Sequence, residues 1–463
     1  MNPLSSQISR ELFDSLTRDA LATRRPGEHW VLALVAEGTQ FLRFNAAKVR
    51  QSGVVQEADL SIKLIVEKKG REQSASKESD PGLSCCDGSI TLEGSPAEMA
   101  AAIAAEMNRL RAEIATLPPD PYATPPASAE TSHSVRRAEL LSPEFAARTL
   151  AEGMAGADLA GIYAAGTMVR ATASSTGSRH WFETDTFSFD YSLYTPAQKA
   201  LKSLHAGQDW DNEGYVRRMA RDREQLLALE REPRAVPRGT YRTYLAPAAV
   251  AELVGMLAYG TFSEGAIRQN KSPLRLLRLG EASLSPLLTL AEDFSGGEVP
   301  RFNDEGELAP LTLDLVRDGK LVNTLVSTRS AAEYGVPSNG AVSSEALRSP
   351  RVAPGDLKES EILARLGTGL YLSNLHYLNW SDVFKGRITG MTRYACFWVE
   401  NGKIAAPIKD LRFDDTIFRI LGSELEALTE TPSLIPEMGT YEYRQLGAMR
   451  VPGALIRGME FTL

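Results

Sequence analysis

The stretch YACFWVENGKIAAPI, residues 394–408, indicates how the larger part of this chain is built. Strand-like runs flank Asn401-Gly402, and Asn-Gly is the strongest short-range signal for a two-residue hairpin turn. A second such signal, Asp318-Gly319, lies inside LAPLTLDLVRDGKLVNTLVS, residues 308–327. Because turns of this kind join antiparallel neighbours directly, we predict a region of β-hairpins rather than βαβ units.

A segment rich in Pro, Ser, Thr and Ala interrupts the chain at residues 117–134, LPPDPYATPPASAETSHS. It has almost no large apolar side chains, so it cannot build a core, and its composition favours an extended linker. We therefore predict an α+β fold with two domains. The predicted parts are an N-terminal α+β meander domain (1–116), a Pro- and Ser-rich linker (117–135) and a larger, hairpin-rich C-terminal domain (136–463).

Apolar spacing predicts the main elements within these parts. In DLSIKLIV, residues 59–66, apolar side chains alternate with others, which is typical of a half-buried strand. Helical spacing predicts helices over the alanine-rich 97–117 and over 245–257, where Pro247 lies near the start. We also predict that residues 195–232 are helical and that their many charges form a solvated face.

Composition and charge narrow the classes of function. The 463 residues include 59 acidic residues against 51 Lys and Arg, and a net charge of -8 has the wrong sign for binding nucleic acid. No apolar run approaches the roughly 20 residues of a membrane span, and the N-terminus lacks the apolar stretch of a secretory signal. We expect a cytoplasmic protein with no membrane partner. Its three cysteines and five scattered histidines show no disulfide framework and no local metal-ligand spacing.

Four short stretches of the sequence follow one another in an order that is typical of a known family. They are TLAEDF with the following RFNDEG (289–306), LGTGLYLSNL (366–375), CFWVENGKIAAPI (396–408) and VPGALIRGMEFTL (451–463). Together they resemble the TldD/PmbA family of zinc metallopeptidases over most of residues 137–463. The resemblance implies two kinds of subunit. TldD-type chains carry zinc on an HExxxH helix with a further cysteine ligand near the C-terminus, whereas PmbA-type chains, also called TldE, lack these ligands and pair with a TldD-type chain.

MLAYGTFSEGAIRQNKS, residues 256–272, indicates which kind of subunit this is. The resemblance places the two zinc histidines near Gly255 and Gly260 and the glutamate near Met256. Glycine offers zinc no side chain, and a thioether is at best a soft, weak ligand. No cysteine follows Cys396. The chain is therefore identified as PmbA/TldE-like, with no catalytic residue, no metal ligand and no cofactor of its own, and zinc is expected only in a TldD-type partner.

Other reactive side chains have simpler interpretations. Glu264, the only carboxylate in residues 256–272, favours a surface or helix-cap role. Asp304 and Glu305 are adjacent, and adjacent strand residues face opposite ways, so we interpret RFNDEG as a turn rather than a carboxylate pair. The adjacent thiols Cys85-Cys86 are interpreted as incidental thiols of a polar loop.

The resemblance implies a non-catalytic subunit that helps a TldD/TldE-type metallopeptidase enclose unfolded peptides and peptide precursors. A subunit that forms part of the wall around the peptide supplies specificity without contacting the scissile bond. The expected partner is a TldD-type subunit or a second copy of this chain. Candidate substrate-binding residues carry hydrogen-bonding, charged or aromatic side chains near the family motifs. They are Arg268, Asn270, Arg301, Asp304, His376, Arg393 and Trp398.

Two alternatives stay open. One is a self-contained thiol hydrolase in which Cys396 is the nucleophile and His376 or His180 the base, although a buried, inert cysteine fits YACFWV better. The other is a homodimeric peptide-binding protein without peptidase activity. Residues 376–396 also depart from the family pattern, where this segment is usually smaller and richer in Gly and Ser.

Overall fold

The computed structural model describes residues 6–68, 82–126 and 129–462. Within them, helices pack against three β-sheets. The helices are α1 (Arg10–Ala22), α2 (Pro96–Ile114), α3 (Pro143–Met154), α4 (Asn212–Leu229), α5 (Pro247–Ala258), α6 (Glu264–Arg268), α7 (Arg275–Arg278), α8 (Thr328–Tyr334) and α9 (Ile362–Leu366). The strands are β1 (Glu28–Asn45), β2 (Lys48–Glu67), β3 (Leu83–Thr91), β4 (Thr131–Arg136), β5 (Asp158–Ser174), β6 (Arg179–Tyr194), β7 (Ala200–Gly207), β8 (Gly239–Leu245), β9 (Leu290–Asp293), β10 (Thr312–Arg317), β11 (Lys320–Leu321), β12 (Pro350–Val352), β13 (Gly369–Asp382), β14 (Arg387–Glu400), β15 (Lys403–Pro407), β16 (Arg412–Thr416), β17 (Leu425–Leu428), β18 (Ser433–Pro436), β19 (Ala448–Val451) and β20 (Ala454–Phe461).

The first sheet takes strands from both sides of the predicted linker. Its order is β3-β2-β1-β5-β6-β4, and β7 also pairs with β6. Strands β1 and β5 pair along their length, from Val31 opposite Ser174 to Phe44 opposite Gly161. The boundary predicted at residues 117–135 therefore does not divide this sheet, because strand pairing over such a distance in sequence leaves no local signal in composition. Strand β4 takes up the end of the predicted linker, and residues 127 and 128 of that linker lie outside the described residues.

Alternation along β2 positions this sheet against its helices. Leu60, Ile62 and Leu64 are buried, while Ser61 between them is exposed, as the sequence predicts. The buried side chains pack with those of α1 and α2 in one apolar cluster. Helix α2 begins at a capping box, in which the Ser95 backbone N–H donates to the Glu98 carboxylate at 2.7 Å.

The second and third sheets form the C-terminal part. The second has the order β11-β10-β9-β12-β19-β18, and the third has the order β13-β8-β20-β16-β14-β15 with β17 on β20. Because β13 also pairs with β14, five strands of the third sheet close into a ring. Helix α5 packs on this ring through Leu253, Val254 and Leu257. Both predicted hairpin turns are confirmed, with left-handed φ at Asn401-Gly402 and Asp318-Gly319.

The α+β fold class is confirmed, and the two-part arrangement is consistent with it. Two local predictions are wrong. Residues 200–207 form strand β7 rather than helix, because pairing with β6 outweighs the local helical pattern, and the helix starts only at Asn212. Cys85 and Cys86 lie on strand β3, paired with β2, rather than in a loop. None of the helices in the described ranges combines the length and apolarity that crossing a bilayer requires.

Candidate functional site

A cleft of about 400 Å³ lies between the first and second sheets. Thr186 of β6 and Gly207 of β7 line one wall, and Leu434 and Pro436 of β18 with the loop 437–447 line the other. Among the described strands, β18 ends its sheet, so its outer backbone edge has no strand partner. Clefts of a few hundred Å³ bind ligands, and a free strand edge can pair with an extended peptide.

Arg444 is the charged residue buried deepest in the lining of this cleft, with 6% of its surface exposed. Its guanidinium donates to the Thr186 hydroxyl at 2.7 Å and to the Thr186 carbonyl at 3.4 Å. Burial lowers the pKa of Arg444 to about 10, with the charge of Glu37 opposing that shift. The side chain remains a cation at neutral pH in a site from which water is largely excluded.

Two further charged residues lie behind Arg444. Glu37 is 2% exposed and accepts a hydrogen bond from the backbone N–H of Arg444 at 3.3 Å and another from the Thr39 hydroxyl at 2.7 Å. The Arg170 guanidinium donates to the Arg444 carbonyl at 3.1 Å and lies over the Tyr443 ring. Burial lowers the pKa of Arg170 to about 10, and Glu37 again opposes the shift. Two cations therefore share the field of one carboxylate.

Helix α5 is the element on which the resemblance expects the zinc ligands. A Cβ added to Gly255 would lie 3.9 Å from Cε of Met449 on β19. Met256 is half-buried against the apolar core, and Gly260 has a φ of 74° in the turn that follows the helix. These residues do not fit a zinc ion, and the described part of the chain holds no group of three or more His, Cys, Asp or Glu placed to bind a metal. That zinc is confined to a partner stays a prediction.

The cleft lies beside α5. Ala448, which lines the cleft, precedes the Met449 that contacts the Gly255 position. Partial burial raises the pKa of Glu252 on α5, and the negative charge of Glu437, a residue that lines the cleft, raises it further. The helix position that would carry metal in a TldD-type chain and the peptide-sized cleft are therefore neighbours.

Of the predicted site residues, Arg268 and Asn270 lie at the end of α6. The Arg268 guanidinium pairs with Glu264 and lies over the Tyr334 ring, 5.2 Å from its centre. Asn270 is exposed and has a φ of 58° in the turn after the helix. Neither belongs to the lining of the cleft.

Glu264 itself is buried, at 5% exposure, so its expected surface role is wrong, although it does begin α6. Its carboxylate accepts from Arg278 at 2.6 Å and from the Thr324 hydroxyl at 2.7 Å, in addition to Arg268. Burial opposes ionisation, but these hydrogen bonds prevail and lower the pKa of Glu264 to about 2. Its charge is fully compensated within the chain.

Arg301 and Asp304 lie on the turn 301–306, which confirms the interpretation of RFNDEG as a turn. The Arg301 guanidinium donates to the Ala309 carbonyl at 2.7 Å, and Asp304 is exposed. The turn packs on the first sheet, where the ring of His180 stacks on Phe302. His180 therefore contacts this turn, whereas Cys396 lies on β14 of the third sheet.

His376, Arg393 and Trp398 lie on the β13–β14 hairpin. The pKa of His376 is lowered by burial and then by the charges of Arg393 and Lys202. Trp398 stacks with Arg234, whose guanidinium carbon is 4.5 Å from the ring centre. The seven predicted residues are thus distributed over three parts of the fold: the end of α6, the 301–306 turn and this hairpin. None of them lines the cleft.

The thiols are not arranged for nucleophilic chemistry. Cys396 is buried, its Sγ donates to the Arg393 carbonyl at 3.1 Å, and burial raises its pKa to about 11. It pairs with Leu372 in the hairpin, whereas His376 pairs with Met391. Burial also raises the pKa of Cys86 to about 11. A thiol of this kind is protonated at neutral pH and poorly accessible, so it does not supply a thiolate.

Sequence reasoning missed Arg444, Arg170 and Glu37. Arg444 lies in a polar stretch, TYEYRQLG, where an arginine is usually solvated, so the sequence offers no signal for its burial. Glu37 offers one, because it is a carboxylate inside the apolar run HWVLALVAEGTQFL of a strand. A charge in such a run is rarely left without a partner or a role.

The chain shares its α+β fold with solved structures of other proteins. It matches TldE from Thermococcus kodakarensis with a TM-score of 0.71 at 14% identity, over 98% of this chain and 100% of that one. It matches a candidate modulator of DNA gyrase from Bacteroides thetaiotaomicron with a TM-score of 0.72 at 17% identity, over 98% of each chain. At these identities the likeness shows the fold alone.

Two sequence comparisons match parts of the chain. Residues 238–463 match the PmbA/TldA metallopeptidase C-terminal domain. Metalloprotease PmbA of Escherichia coli O157:H7 is 30% identical over 162 residues, which cover 34% of this chain and 33% of that protein. The chain thus spans about a third of that relative. The match to the family model lies in residues 238–463, and there it confirms the resemblance drawn from the sequence motifs.

Proposed function

We propose that this chain is a PmbA/TldE-like, non-catalytic subunit of a cytoplasmic zinc metallopeptidase, in which it holds an extended peptide while a TldD-type partner supplies the metal. The observation that carries the proposal is on α5 and the turn after it. The resemblance puts the zinc ligands and the base of the family's zinc helix at Gly255, Met256 and Gly260, and none of these residues offers zinc a suitable side chain. In this proposal the chain has the helix but neither the zinc ligands nor the base.

The cleft supports the peptide-holding part of the proposal. It lies beside α5, so a chain bound there would pass the position where the partner's chemistry is expected. The free edge of β18 offers backbone N–H and C=O groups, which bind an extended peptide regardless of its sequence. Side chains in the cleft then add selectivity.

Co-expression with a TldD-type chain from the same source tests the proposal. Zinc is measured by mass spectrometry in each purified chain, and cleavage of a fluorogenic unfolded peptide is followed for each chain and for the mixture. We expect activity only in the mixture, with zinc in the partner. Stoichiometric zinc in this chain alone would overturn the proposal.

Two controls separate the alternatives. Cys396→Ser in this chain should leave the activity of the mixture unchanged, whereas alkylation-sensitive cleavage by the isolated chain would support the thiol hydrolase. If the chain forms a homodimer that binds peptide, and the TldD-type chain neither associates with it nor gains activity, the homodimeric peptide-binding alternative replaces the proposal.

A further inference from the structure

The strongest unexplained feature of the molecule is the cation that lines the cleft. Within the described residues, the Arg444 side chain donates only to Thr186, a neutral residue. Glu37, the nearest buried carboxylate to act on it, is engaged with the Arg444 backbone and the Thr39 hydroxyl instead. Buried cations are usually paired, because an uncompensated charge away from water is costly.

A second arginine in the same lining shows what compensation looks like. Arg450 forms an ion pair with Glu298, and both residues line the cleft. Arg450 is also 44% exposed, so water can share its charge. Arg444 has neither the carboxylate nor the water. The two arginines therefore provide a matched pair, one satisfied by the chain and one that is not.

From this contrast we propose that Arg444 binds a carboxylate of the peptide held in the cleft. The inference rests on the proposed function, since it names the group by which the bound peptide is recognised. A guanidinium binds a carboxylate through two parallel hydrogen bonds, and Thr186 already fixes one side of the guanidinium. Arg444 and Arg170 both lie in the field of Glu37, and neither guanidinium forms an ion pair with a carboxylate of the described residues, so a bound carboxylate would supply the counter-charge that Arg444 lacks.

Every unblocked peptide carries such a group at its C-terminus, and Asp or Glu side chains carry another. Three short N-acetylated peptides of Ala, Ser and Leu distinguish the two sources. The first has a free C-terminus, the second is amidated, and the third is amidated with one internal Asp. Binding of each to the full chain is measured by isothermal titration calorimetry at low salt.

We expect the free acid to bind about tenfold more tightly than the plain amide, as one charge-assisted contact allows. Tight binding of the amidated Asp peptide as well would extend recognition to side-chain carboxylates. Equal affinity for the acid and both amides would overturn the inference while leaving peptide binding intact. If none of the peptides binds, the peptide-holding function fails, and the inference fails with it.

Variants locate the effect. Arg444→Gln should bring the affinity for the acid down to that for the amide, whereas Arg450→Gln should keep the preference. Circular dichroism and the melting temperature establish that each variant is folded. Should Arg444→Gln not fold, Thr186→Val removes the hydroxyl that orients the guanidinium and should reduce the preference for the acid several-fold. An unchanged preference in a folded Arg444→Gln or Thr186→Val protein would refute the role of Arg444.

Discussion

The cluster around Glu264 and the cluster around Arg444 bury charge in opposite ways. Glu264 is one carboxylate held by two guanidiniums and a hydroxyl, all from this chain. Arg444 is one guanidinium held by a single threonine, with Glu37 nearby but occupied. A buried charge whose hydrogen-bonding partners all come from its own chain stabilises the fold, whereas a buried charge at a cleft that lacks such partners can still bind a ligand.

Breaking the cluster around Glu264 should reduce the stability of the chain most. Glu264→Gln removes the carboxylate and leaves Arg268 and Arg278 facing each other without it. Hydrogen bonds to a charged group contribute about 1.5–3 kcal/mol each, but Arg268 and Arg278 are 42% and 37% exposed, so water offsets part of the loss, and we expect the free energy of unfolding to fall by about 2–3 kcal/mol. Urea unfolding at neutral pH measures it.

Asp314→Asn is the matched control, because the pair of Asp314 with Arg317 is more exposed. Exposed pairs contribute about 0–1 kcal/mol, so this variant should unfold almost as the original chain does. A Glu264→Gln protein as stable as the Asp314→Asn protein would contradict the assignment of a structural role to the Glu264 cluster.

A third way to bury an ionisable group is to keep it neutral, and His205 tests the comparison through pH. Its ring lies among Phe187, Trp210 and Tyr215. Burial, together with the charge of Arg218, lowers its pKa to about 4. Because the pKa in the fold is below the ordinary 6.5, the unfolded chain binds the proton more readily, and stability is lost as pH falls from 6.5 towards 4.

Between pH 7.5 and 5 this group alone should remove about 2 kcal/mol of stability. His205→Leu should abolish that part of the pH dependence, whereas His133→Gln, at an exposed position, should leave it unchanged. Denaturant midpoints at the two pH values give the comparison. The assignment fails if the His205→Leu protein keeps the full acid sensitivity of the original chain.

Local patterns were sufficient to predict much of the fold. The Asn401-Gly402 turn, the alternation of Leu60, Ile62 and Leu64, and the start of α5 at Pro247 each depend on residues close together in sequence. The pairing of β1 with β5 does not depend on such neighbours, because the paired residues are about a hundred residues or more apart. Composition predicted a linker between them instead. Long-range pairing is decided by packing that no short window contains.

The site was harder to predict for the same reason. The sequence shows glycine at positions 255 and 260, where the resemblance expects zinc ligands, but the seven residues chosen near the motifs do not line the cleft. Arg444 gains its burial only when the loop 437–447 closes over strands that lie more than two hundred residues earlier. The family motifs could be recognised in the sequence, whereas the position of the unpaired charge required the fold.

The smallest expected change in stability belongs to the cluster around Arg444. Arg444→Met replaces the guanidinium with an apolar side chain of similar length, and Arg170 stays within the field of Glu37. Because no ion pair is broken, the free energy of unfolding should change by less than about 1 kcal/mol, or even rise. The same variant should lose its preference for a free carboxylate over an amide in the peptide titration. A variant that keeps its stability but no longer prefers the free acid would show that Arg444 serves binding. A loss of about 3 kcal/mol in the free energy of unfolding would show instead that Arg444 supports the fold, as Glu264 does.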